Sequence, residues 1–378
     1  MEKFNRWSDP ASGINPFVPI SRKNHGTLVS RVITFLLGMV LVFIRVPLLL
    51  MVGSPYILLS VLVGTIPVPV VQRPLTRLVD WVFAGLILYI VGVWSVPAKY
   101  ADLKSLRLRR STEKGSSRPL PVGSGVKSGD ILLCNATSYI EVIYLTFRFS
   151  PVFAGVVTSD GRFESAGVIP QTFWSALARA VSAIPMPVST EKTSLKRMSD
   201  AISGSKFGPP IVCFAEGIKT NGGGILKFPP IFDGLHFEAN RVHLVGLKFP
   251  ASSPVSLSNP VGSSVNHLFW ICFYMSHSMS LVMLPAQELV APPEQDNMTG
   301  ELTDAEHRAH LAERATSGAY GGGVLPNRTL PPIGIFGDRA RSLLASMLRV
   351  KALGRCALDF EDFLDFWMKR DSGEKKKR

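Results

Sequence analysis

The feature that most restricts this chain is an apolar stretch covering residues 32–98. From Val32 to Val71 it is broken only by Arg45 before Val46-Pro47 and by Gly53-Ser54-Pro55. A short polar break follows, Gln72-Arg73-Pro74 to Asp80, and then a second apolar run, Trp81 to Val96. A spanning helix needs roughly 20 apolar residues, so the first run is long enough for one kinked span or a re-entrant pair. The second is too hydrophobic all round for a surface helix. A cleaved signal peptide fits poorly, because the stretch starts late, is too long and lacks a small-residue cleavage site. The two runs predict a membrane hairpin, and two arrangements stay open: one that crosses the bilayer, and a monotopic one that embeds without crossing. Arg45 at membrane depth must snorkel or face protein.

Charge orients the hairpin. Arg22, Lys23 and Arg31 precede it, and Lys99, Lys104, Arg107, Arg109, Arg110, Lys114 and Arg118 follow it. Positive-inside counting puts both flanks in the cytosol. The formal charge of +13 suits nucleic acid, anionic lipid surfaces or phosphorylated small molecules. The apolar N-terminal third favours the last two, and the basic residues lack interleaved aromatic stacking groups, so no nucleic-acid partner is expected. Cys134, Cys213, Cys272 and Cys356 stand far apart with no CxxC spacing. A disulfide framework or zinc site is therefore not expected, and a reducing compartment fits. Lys375-Lys376-Lys377-Arg378 matches a dilysine endoplasmic-reticulum retrieval pattern, a form that ordinary basic tails share. Asn135, Asn297 and Asn327 begin formal glycosylation sequons, which a cytosolic domain would leave unmodified.

Beyond the hairpin the reading divides the chain into a basic linker (99–128), a globular domain (129–285), a flexible loop rich in Pro, Gly and acids (286–337) and a helical extension with a basic tail (338–378). Residues 1–31 form a polar N-terminal segment. In the domain, apolar runs at Ile131–Cys134, Val152–Val157, Ile211–Ala215, Val242–Phe249 and Leu281–Leu284 read as strands. Helical segments lie between several of them, at Tyr139–Phe149, Phe173–Ala183 and Glu191–Ile202. Strands alternating with helices predict an α/β fold, a mixed sheet flanked by helices. The apolar run Val265–Met279 suits core, an acyl-chain wall or a surface dipping into the bilayer.

Two blocks carry the chemistry. Phe214-Ala215-Glu216-Gly217-Ile218-Lys219-Thr220-Asn221-Gly222-Gly223-Gly224 follows a buried-looking strand, where α/β ligand sites form. Its glycines allow close backbone approach, Thr220 and Asn221 offer hydrogen bonds, and Lys219 brings charge; the inventory suits a phosphate ester. Upstream, strand Asp130–Cys134 runs into Asn135-Ala136-Thr137-Ser138-Tyr139-Ile140-Glu141. Weaker signals are Gly123–Ser128, whose spacing fails as a phosphate loop, and the pair His307 and His310, which lacks a third metal ligand.

The two blocks resemble, in order, spacing and strand placement, the signatures of the glycerol-3-phosphate and lysophosphatidic acid acyltransferase superfamily, Asn-His-x-Ser-x-x-Asp and then Glu-Gly-Thr-Arg-Ser. Val242–Pro250 resembles the family's later strand, and the likeness covers roughly residues 120–285. The hairpin and C-terminal extension are similar to the fungal lysophosphatidic acid:oleoyl-CoA acyltransferase group. The resemblance implies a glycerolipid acyltransferase-like fold and transfer of a long acyl chain from acyl-CoA to a lysophospholipid, without metal or prosthetic group. It implies a site at the endoplasmic reticulum membrane or a lipid droplet, facing the cytosol.

Carried over by position, the family's histidine base is Ala136 here and its orienting aspartate is Glu141. Ser138 keeps the serine, and Cys134 lies just before the block. The phosphate-binding set becomes Glu216, Gly217, Lys219, Thr220 and Asn221. Lys219 stands for an arginine and loses the bidentate fork. A methyl group accepts no proton, so two readings are open. Activity survives through Glu141, Cys134, a histidine from elsewhere (His236 or His243) or positioning alone; or the domain is a catalytically silent lipid-binding or trafficking scaffold.

Overall fold

The computed structural model describes residues 2–20, 27–102, 106, 121–205, 207–235, 241–250, 253–286 and 335–375. His236, His307, His310, Asn297, Asn327, the cluster Arg22 and Lys23, most of the basic linker and the final Lys376-Lys377-Arg378 lie outside the described residues.

The apolar stretch folds as two helices, α1 (Leu28–Gly64) and α2 (Pro69–Val91), both long and apolar enough to cross a membrane. The Thr27 hydroxyl caps α1, accepting from Ser30 N–H. Gly92, in the left-handed region at φ 95°, ends α2. The polar break expected at 72–80 is instead the first part of α2. Its polar groups are satisfied across the packing interface. Asp80 accepts from the Tyr56 hydroxyl at 2.8 Å and the Ser150 hydroxyl at 2.5 Å, and Arg73 donates to the Ser150 hydroxyl at 3.0 Å. A local hydropathy dip marks a turn only where the polar groups have no such partners.

Seven strands form one sheet in the order β1-β8-β7-β2-β5-β3-β4: β1 (Ala98–Tyr100), β2 (Ile131–Cys134), β3 (Val152–Thr158), β4 (Ala166–Gln171), β5 (Ile211–Phe214), β7 (Val242–Lys248) and β8 (Ser280–Leu284). The central strands β7, β2, β5 and β3 are parallel, while β4 and β8 pair antiparallel at the flanks, so the sheet is mixed as expected. A two-residue strand β6 (Gly224–Ile225) pairs with β9 (Lys351–Ala352). The helices α3 (Tyr139–Phe149), α4 (Phe173–Val181), α5 (Leu195–Ser203), α6 (Ser264–Phe273), α7 (Ile335–Leu348) and α8 (Ala357–Lys375) cover the sheet. Strands β1 and β4 escaped the sequence reading because neither carries a long apolar run: β1 is short, and β4 has a proline on an outer strand.

The sheet divides two cores. Ile131 and Leu133 point to one side, with α5, α7 and α8, and Leu132 and Cys134 point to the other, with α2, α3 and α6. That alternation is the period of two of a strand buried on both faces. The N-terminal segment, read as polar, docks its aromatic residues on the first side. Trp7 and Phe17 are buried, with the Phe17 ring 5.5 Å from Phe360 and 5.6 Å from Phe363 on α8.

The hairpin is fastened to the domain along its length. Arg45 is buried and donates to the carbonyls of Cys272 at 3.2 Å, Tyr274 at 2.6 Å and Met275 at 2.7 Å, around the carboxyl end of α6. A helix terminus of partial negative charge with unpaired carbonyls is a natural seat for a guanidinium. Phe273 packs on α1 at Gly38, and the Trp174 indole N–H donates to the Ser60 hydroxyl at 2.8 Å. The opposite face of α1 is exposed and apolar, with Phe43 83% and Leu50 70% exposed. We predict that Arg45→Ala leaves the three carbonyls without their donor and removes about 2 kcal/mol of stability. The thermal midpoint of the purified full-length protein in detergent measures it.

Candidate active site

Both blocks leave the sheet side by side, because Cys134 of β2 pairs with Phe214 of β5. The Asn135 amide pins the first block to the neighbouring strand, donating to the Leu247 carbonyl at 2.9 Å and accepting from Leu247 N–H at 2.8 Å. Buried and doubly bonded, this asparagine is closed to a glycan in the folded chain. Glu216 then ties the blocks together. One carboxylate oxygen accepts from Ala136 N–H at 3.1 Å and the other from Leu226 N–H at 3.0 Å. Thr220 N–H returns the connection, donating to the Ala136 carbonyl at 2.8 Å.

Glu141 closes the first block on itself. It accepts from Thr137 N–H at 2.7 Å, Ser138 N–H at 3.2 Å and the Thr137 hydroxyl. Ser138 caps α3 in a capping box with Glu141, its hydroxyl accepting from Ile140 N–H at 3.2 Å. Gly217 sits in the left-handed region at φ 76°, where an added Cβ would also stand 3.3 Å from the Met186 sulfur. This turn lets the chain leave Glu216 under the first block and return with Lys219 at the cavity.

A cleft opens at these strand ends. Ala136, Ser138, Glu141, Gly217 and Lys219 line its polar end, and Val142, Phe153, Val156, Ala180 and Ile184 are among its apolar walls. Glu141 and Lys219 therefore face one cavity. The Lys219 ammonium is enclosed and has no hydrogen-bond partner among the described residues. Burial pushes its pKa down to about 8, partly offset by the Glu141 charge. Burial pushes the Glu141 carboxyl up to about 8 and Glu216 up to about 7, against the hydrogen bonds each accepts.

The other expected site residues lie elsewhere. Cys134 is fully buried in the sheet, its thiol pKa raised well above the ordinary value by burial, and it does not line the cleft. Glu216 and Thr220 are wholly buried, with their side chains bonded to the backbone of the blocks. The Asn221 amide donates to the carbonyls of Asn15 at 2.8 Å and Val18 at 2.9 Å, so it secures the N-terminal segment. These three side chains build the loop and do not present themselves to a phosphate.

No described histidine lines the cleft. His243 is held at the opposite end of the strands, between the Asp130 carboxylate at 3.0 Å and Ala286 N–H at 3.1 Å. His267, on α6, meets the Tyr139 hydroxyl at 3.1 Å and the Ser256 carbonyl at 3.0 Å, and burial pushes its pKa down to about 4. The α6 segment contributes no cleft residue, so it is not the wall of this cavity. Among the described residues no three His, Cys, Asp or Glu side chains converge as a metal site.

Sequence reasoning missed Arg179, which lines the same cleft from α4. An arginine in the last turn of a short helix reads as an ordinary terminal charge, and nothing local separates it from Arg197 or Arg148.

No protein-family model matches the chain. A curated protein of Schizosaccharomyces pombe, described as "Putative lysophosphatidic acid:oleoyl-CoA acyltransferase", is 29% identical over 250 residues, spanning 66% of this chain and 73% of that protein. The crystal structure of the 1-acyl-sn-glycerophosphate (LPA) acyltransferase PlsC from Thermotoga maritima aligns over 75% of this chain and 93% of that one, at 12% identity and a TM-score of 0.34, too distant to argue from. The two signature blocks adjoin at neighbouring strand ends, and, with a fungal relative similar over 66% of its length, the chain resembles the glycerol-3-phosphate/lysophosphatidic acid acyltransferase superfamily.

Proposed function

We propose that this protein is a membrane-embedded O-acyltransferase that moves a long acyl chain from acyl-CoA to lysophosphatidic acid, or a related lysophospholipid, giving phosphatidic acid. One observation carries the reading: an enclosed, unpartnered lysine stands in the cleft where the two blocks meet, with apolar walls leading away from it. Such a cavity suits a ligand with an anionic head and a hydrocarbon tail. The description of the yeast relative supports the same pair of substrates.

In this reading Lys219 holds the acceptor phosphate and the apolar walls take up hydrocarbon. The acceptor hydroxyl attacks the thioester carbonyl, the C–O bond forms as the C–S bond breaks, and the hydroxyl proton ends on the CoA thiol. Ala136 supplies no base. Glu141 is committed to three donors, so the reaction proceeds mainly by positioning, a term that supplies a large part of many rate enhancements. No metal or prosthetic group takes part.

The hairpin lies in the cytosolic leaflet of the endoplasmic reticulum or on a lipid droplet, embedded without crossing. Supporting this, α1 touches the domain from Gly38 to Ser60, about 33 Å at 1.5 Å per residue. That is close to the hydrocarbon thickness of a bilayer, so a perpendicular span would drag α4 and α6 into lipid. The N-terminal segment and the domain also pack together, which keeps both flanks on one side.

Full-length protein in lipid-detergent micelles, given labelled oleoyl-CoA and lysophosphatidic acid, should form labelled phosphatidic acid. Lys219→Ala should raise KM for the acceptor roughly tenfold or more, the worth of a charge-assisted contact. The apparent acceptor affinity should fall as pH rises through about 8, because the ammonium is lost there while the lipid phosphate stays ionised. Zero incorporation with every lysophospholipid, in protein that still binds them, would identify the silent scaffold instead.

Ala136→His restores the imidazole at the cleft. It should raise kcat by about 10²-fold, the lower end of a general base's contribution. An unchanged kcat would mean that another group already removes the proton.

A further inference from the structure

Arg179 is held by one end and idle at the other. From the last turn of α4 its Nη2 donates to the carbonyl of Val156 at 2.6 Å and of Gly217 at 3.2 Å. These two bonds fix the guanidinium against the second block, two residues from Lys219. Its Nη1 is enclosed and has no hydrogen-bond partner among the described residues. Among the described residues six side-chain nitrogens and oxygens are in that condition, and the two that border the cleft are Arg179 Nη1 and Lys219 Nζ.

No carboxylate forms a salt bridge to either cation among the described residues. An enclosed guanidinium without an anion is unfavourable, and native structures keep one where it is structural or where a ligand completes it. A purely structural arginine would spend its donors on the protein. Here one donor is left over on a residue that lines the cleft. Burial pushes the pKa down to about 10, so the group keeps its charge at neutral pH.

We propose that Arg179 and Lys219 form a two-cation clamp for a phosphomonoester, and that Arg179 selects acceptors bearing a phosphate over neutral glycerides. The proposal rests on the acyltransferase reading for its reaction, but not for its binding. Lysophosphatidic acid presents a phosphomonoester, and so does the ribose phosphate of CoA; the clamp is assigned to the acceptor.

Full-length wild type, Arg179→Lys and Arg179→Met are compared in the same micelles. With lysophosphatidic acid as acceptor, Arg179→Met should raise KM by roughly tenfold to a hundredfold and Arg179→Lys by less. With monoacylglycerol as acceptor neither should change KM by more than about twofold, the spread expected of a contact absent from that substrate. Titration with glycerol 3-phosphate, inorganic phosphate and CoA separates the sources: the variants should lose glycerol 3-phosphate and keep CoA. Loss of CoA binding alone would overturn the assignment to the acceptor. Equal losses with both acceptors, following the thermal midpoint, would make Arg179 a structural strut and overturn the clamp. Should Arg179→Met not fold, thermal shift by glycerol 3-phosphate decides with Arg179→Lys; a shift as large as wild type overturns the proposal. Should wild type transfer no acyl group, Arg179-dependent binding of glycerol 3-phosphate would sustain the clamp while the transferase reading fails.

Discussion

Glu216 bridges two segments eighty residues apart in sequence, and the rest of the site follows from that bridge. Its two oxygens take the N–H groups of Ala136 and Leu226, so the turn after β2 and the turn after β5 cannot drift apart without orphaning a buried carboxylate. The Thr220 N–H on the Ala136 carbonyl locks the same junction from the other direction. With the loops fixed, the backbone of Gly217 directs Lys219 back over the cavity, and the capping box of α3 keeps Glu141 under it. The acidic groups in this junction are structural before they are chemical.

The hairpin serves as more than an anchor. Through Arg45 it is bolted to the carboxyl end of α6, and Tyr56, stacked at 5.5 Å on Phe83 within the hairpin, leans 5.2 Å from Phe173 on α4. α4 is also the helix that carries Arg179. The exposed apolar hairpin and the element reaching into the cleft are therefore neighbours in one packed unit. In the proposed reaction this arrangement would let an amphiphilic acceptor pass from leaflet to cleft without its tail entering water. Exposed Ile184, just past the end of α4, is one of the residues lining the cavity.

Much of this was legible in the residues. β2 and α3 begin and end where the runs Ile131–Cys134 and Tyr139–Phe149 predicted, because a buried parallel strand and a capped amphipathic helix are each written within a few residues. The two blocks were found for the same reason. Less legible was the use each polar residue is put to. Thr220 and Asn221 look like phosphate ligands in the glycine-rich block, yet one is spent on the Ala136 carbonyl and the other on a segment some two hundred residues earlier. The polar dip at Arg73 to Asp80 looked like a turn until Tyr56 and Ser150 supplied partners.

The sequence by itself determined the apolar pair of helices, the alternation of strands and helices, the order of the two blocks and the absence of a histidine at position 136. All of these are local: periodicity, capping and residue identity need no knowledge of distant neighbours. Only the tertiary structure decided which side chains share the cleft. It put Lys219 beside Glu141, removed Cys134, Thr220 and Asn221, and brought in Arg179 from a helix between the blocks. The reason is that a hydrogen-bond donor is available to a ligand only when the fold leaves it unpaired, and pairing is settled by contacts across the whole chain.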